Sequence, residues 1–451
     1  MTIIIVGCGK VGATLAEQLS RENHDVSIID MHAEKVQSLT NNFDVLGVIG
    51  NGASLSTLQE AGIENADLLI AVTDSDELNL LCCLIARKAG AAATIARVRN
   101  PAYYNEINFI KDELGLSLII NPELAAASEM ARLLRFPSAI EINTFAKGKI
   151  ELLKFKIDPG SKLDGMTLAD IRSKWAADIL VCAVEREHEI TIPSGGFVLK
   201  EKDNVFIIAS PVEAAAFLKK IGVQTGQVRN TMIVGGGTTA YYLAHQLTNM
   251  GMQVKIIEQN QDRCEHLCDI LPKAMIIHGN GIDKDLLLEE GLAQTDAFIT
   301  LTNMDEENIL LSLYAKSQTD AKLVTKVNKL AFDQVIESLD LGSVIYPKNI
   351  TAQYIIQYVR ARQNSIGSNI ETLYKIVDGR AEALEFKITE NSPVVGVPLE
   401  KLELKPNILI CNINHNGQFF IPRGQDAIQT GDKVIVVTTN TGLHDIRDIL
   451  A

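Results

Sequence analysis

Two copies of one strand–glycine–helix pattern, one in each half of the chain, constrain the fold more than any other feature. The first copy, IIIVGCGKVGATLAEQL, begins at Ile3, and the second, TMIVGGGTTAYYLAHQL, begins at Thr231. A short apolar strand, a glycine-rich turn and an amphipathic helix together open a Rossmann nucleotide-binding domain. The chain is therefore predicted to contain two such domains.

The similarity between the halves extends well beyond these loops. Gly7 aligns with Gly235 (235 − 7 = 228), and GNG at residues 50–52 aligns with GNG at 279–281 (279 − 50 = 229). TDSDELN at residues 73–79 matches TNMDEEN at 302–308 (302 − 73 = 229), and FKIDPG from Phe155 resembles FKITEN from Phe386. A register that stays this constant indicates a duplicated two-lobe unit.

We predict four lobes in the order N-type, C-type, N-type, C-type, over residues 1–136, 137–222, 229–364 and 370–451. Strand and helix patterns alternate in the N-type lobes, which predicts doubly wound parallel sheets. The C-type lobes contain short strands separated by turn residues, which predicts small α+β lobes. The predicted fold class is therefore α/β, with two tandem Rossmann-like units that each carry a small α+β lobe.

Composition excludes several classes of protein. The formal net charge of −14 argues against a nucleic-acid surface, which needs concentrated Lys and Arg. No apolar run is long enough to cross a bilayer, and the first residues enter a strand without a signal-peptide pattern. The cysteines are odd in number, seven in all, and most lie in apolar contexts. Cys264 and Cys268 lie one helical turn apart and could share a metal, although two thiols on one helix face need no metal. We expect a reduced, cytoplasmic protein.

The first glycine loop predicts a phosphate site with an adjoining ribose site. Gly7 permits the tight turn, Gly9 lets a phosphate approach the backbone, and Gly12 allows close helix–strand packing. Asp30 ends the next strand, where a carboxylate would accept hydrogen bonds from the ribose hydroxyls and repel a 2′-phosphate. The loop also contains Cys8, Lys10 and Val11.

Further candidates end the other strands of the first N-type lobe. Thr73 and Asp74 follow the strand DLLIAV, at the edge where ligands bind such sheets. Arg97 ends the next strand and could pair with a phosphate or with Asp74 or Asp76. Asn51 could line the same edge, or could simply serve the turn in GNG.

The second site is predicted to be related but unequal to the first. Ala240 replaces the third glycine, Thr238 replaces Lys10, and Glu258 replaces Asp30. Lys326 replaces Arg97 and gives up bidentate geometry, so affinity or nucleotide preference should differ. The candidate residues of this site are Gly235, Gly236, Gly237, Thr238, Thr239, Glu258, Asn280, Thr302, Asn303 and Lys326.

The duplicated pattern resembles the RCK family, also called KTN, of nucleotide-binding regulators in bacterial Trk potassium-uptake systems. The residues that carry the resemblance are VGCGKVG, Asp30, GNGAS, TDSDELN and Arg97, with their second-half counterparts. The resemblance implies that the N-lobes bind NAD(H) or ATP/ADP. It also implies a homo-oligomeric, tetrameric ring on the inner face of the membrane, beneath a TrkH-like potassium channel subunit.

Two other interpretations compete with a regulator. An NAD-dependent oxidoreductase would need a proton donor or acceptor beside the nicotinamide. The C-type lobes offer only His188, His415 and His444, and His188 and His415 lie in polar, turn-like sequence. A structural scaffold with relict loops is the other alternative, although acids end the second strand in both halves. We therefore predict a regulatory protein without catalytic or metal-binding residues.

Overall fold

The computed structural model describes residues 1–135, 139–146, 149–175, 178–187, 189–222, 228–328, 335–336, 339, 341–364, 370–377, 380–390, 392–440, 442–443 and 445–451. Two limits predicted for the lobes, residues 136 and 137, fall outside these residues, as do residues 223–227 and 365–369 between the later lobes. The lobe limits therefore stay predictions. Within the described residues, no helix combines the length and apolar character that crossing a membrane requires.

The first N-lobe is a six-stranded parallel sheet with helices between its strands. Ile3, Ile4 and Ile5 on the central strand are fully buried, as expected when helices cover both faces of a parallel sheet. The sheet order is β3-β2-β1-β4-β5-β6, so the order in which strands are added to the sheet reverses beside β1. The strands are β1 (Thr2–Val6), β2 (Asp25–Asp30), β3 (Leu46–Ile49), β4 (Leu68–Ala71), β5 (Thr94–Arg97) and β6 (Leu118–Ile120). The helices are α1 (Lys10–Arg21), α2 (Ala33–Asn42), α3 (Leu55–Glu60), α4 (Asp76–Ala89), α5 (Ile107–Glu113) and α6 (Pro122–Arg135), with 3₁₀ turns at Ile63–Asn65 and Pro101–Glu106.

The first C-lobe is a five-stranded antiparallel sheet flanked by two helices. Its order is β10-β9-β11-β8-β7. The strands are β7 (Glu141–Phe145), β8 (Ile150–Lys156), β9 (Leu180–Arg186), β10 (Glu189–Thr191) and β11 (Asn204–Ala209), and the helices are α7 (Leu168–Trp175) and α8 (Pro211–Ile221). Helix α8 has Pro211 at its first turn, Ser210 as its N-cap and Gly222 in a left-handed C-cap, which explains where it begins and ends.

The second half repeats both lobes. The second N-lobe has sheet order β14-β13-β12-β15-β16-β17, and the second C-lobe has order β18-β19-β22-β20-β21. The strands are β12 (Asn230–Val234), β13 (Gln253–Glu258), β14 (Met275–His278), β15 (Ala297–Thr300), β16 (Lys322–Lys326), β17 (Ser343–Ile345), β18 (Ile370–Ile376), β19 (Ala381–Lys387), β20 (Ile408–His415), β21 (Gln418–Phe420) and β22 (Lys433–Thr438). The helices are α9 (Thr238–Asn249), α10 (Gln261–Ile270), α11 (Lys284–Glu289), α12 (Asp305–Gln318) and α13 (Pro347–Asn364), with 3₁₀ turns at Leu292–Gln294, Leu399–Lys401 and Ile446–Ile449. The predicted fold class is confirmed.

Lobes of the same type pack together, although the chain order alternates between types. One compact unit contains Met1–Ala131 and Arg229–Ile356, and the other contains Arg132–Val228 and Gln357–Ala451. In the unit of N-lobes, the Tyr242 hydroxyl accepts a hydrogen bond from Asn121 Nδ2 at 2.9 Å. In the unit of C-lobes, one apolar core contains residues of both lobes, such as Phe145 and Ile435.

Candidate functional site

The first glycine loop is shaped so that side chains are excluded from its inner side. Gly7 has φ +103°, and a Cβ there would lie 2.9 Å from the Thr73 backbone nitrogen. A Cβ on Gly12 would lie 1.9 Å from the Gly7 carbonyl oxygen, so the helix can approach the loop only without one. By contrast, a Cβ on Gly9 would meet nothing within 4 Å. Gly9 therefore borders open space in front of the loop.

Helix α1 directs its N-terminus toward this open space. Gly9 is its N-cap, and the first helical hydrogen bond runs from Ala13 N to Gly9 O at 2.8 Å. The N–H groups of Lys10, Val11 and Gly12 lie ahead of that bond, where a helix has donors without intrahelical partners. Lys10 is exposed beside them, whereas Val11 is buried. A phosphate group fits this donor set and the positive end of the helix dipole.

Asp30 is held at the loop as an ionised carboxylate. Its Oδ2 accepts a hydrogen bond from Cys8 N at 2.7 Å, and its Oδ1 accepts one from His32 N at 2.9 Å. His32 Nδ1 lies 2.8 Å from the same Oδ1. Burial opposes ionisation, but the bonds from His32 and Cys8 outweigh it and lower the pKa of Asp30. Burial, and then the Asp30 charge, raises the pKa of the Cys8 thiol to about 12, so Cys8 contributes its backbone N–H rather than a thiolate.

The lowered pKa of Asp30 predicts a pH-dependent contribution to stability. Because the folded-state pKa lies below the unfolded value, this stabilisation is present above pH ~4 and is lost as the pH falls through the folded-state pKa. We expect Asp30→Asn to lower the free energy of unfolding by about 1–2 kcal/mol at pH 7. Urea unfolding should show this difference shrinking as the pH falls below 4. A difference that stays constant down to pH 2.5 would contradict the assignment.

The strand ends beside the loop are tied together by one buried amide. Asn79, which is fully buried, accepts hydrogen bonds at Oδ1 from Thr73 N (2.8 Å) and Thr73 Oγ1 (2.7 Å). Its Nδ2 donates to Thr73 O at 3.1 Å and to Arg97 O at 2.9 Å. All four hydrogen-bonding positions of the amide are therefore used. The motif TDSDELN contains Asn79, but the sequence predicted no role for this residue. Its recurrence as Asn308 in the second half is the signal that could have indicated one.

Arg97 turns inward rather than out to solvent. Its side chain is 10% exposed, and Nη2 donates to Thr73 O and to Asp74 Oδ1, the latter at 3.2 Å. Desolvation, followed by the nearby Arg99, lowers the pKa of Arg97. Asp74 itself is 98% exposed. The predicted pairing of Arg97 with Asp74 is thus present in the structure. The guanidinium lies beside the end of strand β4, within the carboxyl edge of the sheet.

The GNG tripeptides are explained by turn geometry and packing. Asn51 Oδ1 accepts a hydrogen bond from Ala53 N at 2.9 Å, and Asn280 Oδ1 accepts one from Ile282 N at 3.1 Å. A Cβ on Gly52 or Gly281 would lie 2.2 Å from a valine methyl of the central strand in its lobe. Both asparagines are exposed at the carboxyl edge of their sheets.

The second glycine loop reproduces the cradle, although Gly236, Thr238, Thr239 and Ala240 replace Cys8, Lys10, Val11 and Gly12. Gly235 has φ +100°, and a Cβ there would lie 2.9 Å from the Leu301 carbonyl carbon. Gly237 is the N-cap of α9 and borders open space, whereas Thr239 is buried in the first turn and Thr238 is partly exposed. The loop accommodates a fully buried Ala240 where the first loop has Gly12.

Glu258 occupies the place of Asp30. Its Oε2 accepts a hydrogen bond from Gly236 N at 2.7 Å, and its Oε1 accepts one from Asn260 N at 2.8 Å. Arg263 adds a contact absent from the first loop, because its Nε donates to the Gly236 carbonyl oxygen at 2.7 Å. The two loops therefore differ in this arginine contact as well as in the acid.

The remaining second-site candidates also gather at strand ends. Asn308 binds Thr302 N and Thr302 Oγ1, both at 2.9 Å, and donates to Lys326 O at 3.0 Å. Lys326 is 8% exposed, and its Nζ donates to Leu301 O at 3.0 Å. Asn303 is exposed beside them. The structure therefore brings the predicted residues of each half together along the carboxyl edge of its own sheet.

The two sites lie close to one another within the unit of N-lobes. The Tyr242 hydroxyl, on the helix that begins at the second glycine loop, donates to Arg99 O of the first lobe at 3.4 Å. Burial lowers the pKa of Lys326, an effect opposed by the carboxylates of Asp305 and Glu123 and increased by Lys10. Glu123 and Lys10 belong to the first lobe, so the buried cation of the second site lies within the electrostatic reach of the first.

The other candidate chemistry has structural explanations. His415 Nδ1 lies 2.7 Å from Asp432 Oδ1, and Arg186 holds Asp203 at the equivalent place in the first C-lobe (415 − 186 = 229). Cys264 is buried and Cys268 is exposed, and the described part of the chain contains no group of three or more potential metal ligands. His188 and His444 lie outside the described residues.

Comparison with known proteins covers both kinds of lobe. The family model described as the TrkA-N domain matches residues 3–122 and 231–347, and the TrkA-C domain matches residues 152–222 and 383–451. A Methanosarcina mazei protein named Trk system potassium uptake protein TrkA homolog 1 is 33% identical over 455 residues, covering 99% of each chain.

Two solved structures share the fold at low sequence identity. The GsuK channel bound to NAD aligns with TM-score 0.62 and 17% identity, over 97% of this chain and 77% of that one. GsuK bound to ADP aligns with TM-score 0.52 and 13% identity, over 80% of this chain and 69% of that one. These likenesses show the fold alone.

Proposed function

We propose that this chain, which belongs to the TrkA family, is a regulatory subunit of a potassium-uptake system that binds nucleotides in its two N-lobes. Its relatives over the full length are named Trk potassium uptake proteins. The observation that carries the proposal is the pair of glycine cradles, each with a hydrogen-bonded acid at its edge.

The ligands we propose are NAD(H), ATP and ADP. Open space in front of Gly9 and Gly237, together with the helix N-termini behind them, suits phosphate groups. Asp30 and Glu258 would accept hydrogen bonds from ribose hydroxyls. The GsuK channel has been solved with NAD and GsuK with ADP, which supports both ligand classes for a chain of this fold.

Nucleotide binding would bias the arrangement of the lobes. A ligand on the second loop would also contact the N-terminus of helix α9. The Tyr242 hydroxyl of this helix donates to the Arg99 carbonyl oxygen, just after strand β5 of the first lobe. A ligand that binds one arrangement more tightly shifts the population toward it, and a typical coupling is about 1–3 kcal/mol. The role we propose is therefore allosteric gating rather than catalysis.

The output of this switch would be a membrane partner. We propose a TrkH-like potassium channel subunit, with the chain in the cytoplasm, peripheral to the inner face of the membrane. We also propose a homo-oligomeric, tetrameric ring, because several coupled sites would then act on one pore. The names of the relatives and the channel-borne GsuK structure support this assignment.

Nucleotide titration of variants at Asp30 and Glu258 tests the proposed ligand sites. We expect Asp30→Ala and Glu258→Ala each to weaken one nucleotide-binding event about 10- to 100-fold, because each removes hydrogen bonds to a charged acceptor. Calorimetric titration of NADH, NAD, ATP and ADP would measure this effect. Asp25→Ala is a matched control, since Asp25 is exposed at the opposite end of the same strand as Asp30.

The regulatory output needs its own measurement. Potassium flux through the reconstituted channel complex should respond to nucleotide with wild-type protein and lose part of that response with each acid variant. If neither variant weakens any nucleotide, the site assignment is wrong. Steady NADH oxidation with carbonyl substrates would instead favour the alternative, an NAD-dependent oxidoreductase.

A further inference from the structure

Two cysteines occupy the same unusual backbone position in the two C-lobes. In the pairing of β9 with β11, Ala183 faces Phe206 and Val181 faces Ile207, so Cys182 is the extra residue of a β-bulge. In the pairing of β20 with β22, Ile410 faces Val436 and Asn412 faces Ile435, so Cys411 is the extra residue there. The two positions are equivalent in the duplication (411 − 182 = 229). A bulge re-aims the side chain of its extra residue.

The two bulges place both thiols in one buried core. Cys182 and Cys411 are both fully buried, and both belong to the apolar core shared by the C-lobes. Strands β9 and β20 contact one another, and Cys182 lies near enough to the Cys411 thiol to raise its pKa. Each thiol also lies near a backbone carbonyl, Cys182 Sγ at 3.3 Å from Phe206 O and Cys411 Sγ at 3.4 Å from Leu409 O.

We propose that Cys182 and Cys411 form a redox-active thiol pair whose disulfide links the two C-lobes of one chain. The oxidant is a low-molecular-weight disulfide of the glutathione class. One thiol, as its thiolate, attacks a sulfur of that disulfide and releases one small thiol, leaving a mixed disulfide on the protein. The second protein thiol then displaces the other small thiol. Two protein thiols are oxidised, one small disulfide is reduced to two thiols, and the hydrogen count balances.

The packed interface controls when this reaction occurs. Burial, and then contact with Cys182, raises the pKa of the Cys411 thiol well above its ordinary value. A protonated thiol is a poor nucleophile, and a fully buried one is inaccessible to a small disulfide. The pair therefore reacts when the C-lobes separate, and the bond forms as they close again. Disulfides in reducing compartments are rare and are usually transient or redox-sensing, which fits such a pair.

The bond would fix one arrangement of the C-lobes. The pair joins the C-lobe of the first half to that of the second, across the apolar core that holds them together. Once linked, the C-lobes can no longer separate at this point whatever nucleotide is bound. The site is thus a covalent input to the protein that is independent of the glycine loops.

Oxidative refolding tests the pair without relying on access to a closed interface. The full-length reduced protein is unfolded and refolded in a glutathione redox buffer, then purified as the native oligomer and mapped by peptide mass spectrometry. We expect the linked peptide containing residues 182 and 411 to be the predominant disulfide, with a mass two hydrogens below the sum of its two reduced peptides. Cys182→Ala and Cys411→Ala should each abolish that mass change.

The exposed thiol of Cys268 supplies the matched control. Cys268→Ala should leave the 182–411 link unchanged, and in wild type Cys268 reports that the buffer was oxidising by forming a glutathione adduct. If both Cys182 and Cys411 stay reduced in native protein that carries this adduct, the proposal is overturned. Predominant linkage of either cysteine to another residue overturns it as well. Should an alanine variant fail to fold, the wild-type peptide map decides alone.

Discussion

Replacing Gly12 with alanine is expected to weaken nucleotide binding at the first glycine loop about 5- to 150-fold and to leave binding at the second loop unchanged. The added Cβ would lie 1.9 Å from the Gly7 carbonyl oxygen. No side-chain rotamer can relieve this contact, because the backbone fixes the position of a Cβ. The loop must move away from α1, and the phosphate cradle opens with it. Overpacking of this kind costs about 1–3 kcal/mol, which corresponds to about 5- to 150-fold in affinity.

The chain supplies its own control for this substitution. Ala240 occupies the same position in the second loop, where its methyl group is fully buried. Ala240→Gly should therefore leave nucleotide binding at the second site within about threefold of wild type, since it removes only one methyl group. Calorimetric titration separates the sites, because Gly12→Ala should weaken one of the two binding events and leave the other unchanged. Weakening of both events, or of neither, would contradict the assignment.

Much of the fold could be predicted from the repeats, because strand–glycine–helix patterns and alternating apolar strands are local features. The sheet order beside β1 follows from the alternation of strands and helices. The grouping of N-lobe with N-lobe could not be predicted in this way. It depends on contacts such as Asn121 to Tyr242 and Gln246 to Ser128, between residue types that are common on any protein surface.

The candidate sites show the same division between local and long-range information. Spacing along the chain predicted Asp30 and Glu258 at the ends of their strands, where the structure places them. It left open whether Arg97 pairs with a phosphate or with Asp74 or Asp76, because that depends on contacts between residues of separate strand ends. The bulges that re-aim Cys182 and Cys411 were also invisible, since a bulge is a property of strand pairing rather than of composition.

Replacing Asn79 with alanine is expected to unfold the first N-lobe more readily than any surface change and to disable its site. Asn79 is the only described side chain bonded to both Thr73 and the Arg97 carbonyl, and it is fully buried. Truncation leaves the Thr73 N–H and the Arg97 carbonyl without this partner, whereas Thr73 O keeps Arg97 Nη2 and the Thr73 hydroxyl keeps Ser75 O. Each unsatisfied buried group costs about 1–3 kcal/mol, so we expect a loss of at least about 2 kcal/mol in the free energy of unfolding.

Asn308→Ala provides the symmetric test, because Asn308 makes the same contacts to Thr302 and Lys326 in the second N-lobe. Urea unfolding should show a similar loss of stability for both variants. Nucleotide titration should show opposite patterns, since Asn79→Ala displaces the strand ends of the first site and Asn308→Ala those of the second. If Asn79→Ala lowered stability yet left both binding events unchanged, the strand ends around Thr73 would lie outside the nucleotide site. The nucleotide would then be held by the glycine loop and Asp30 without help from Arg97.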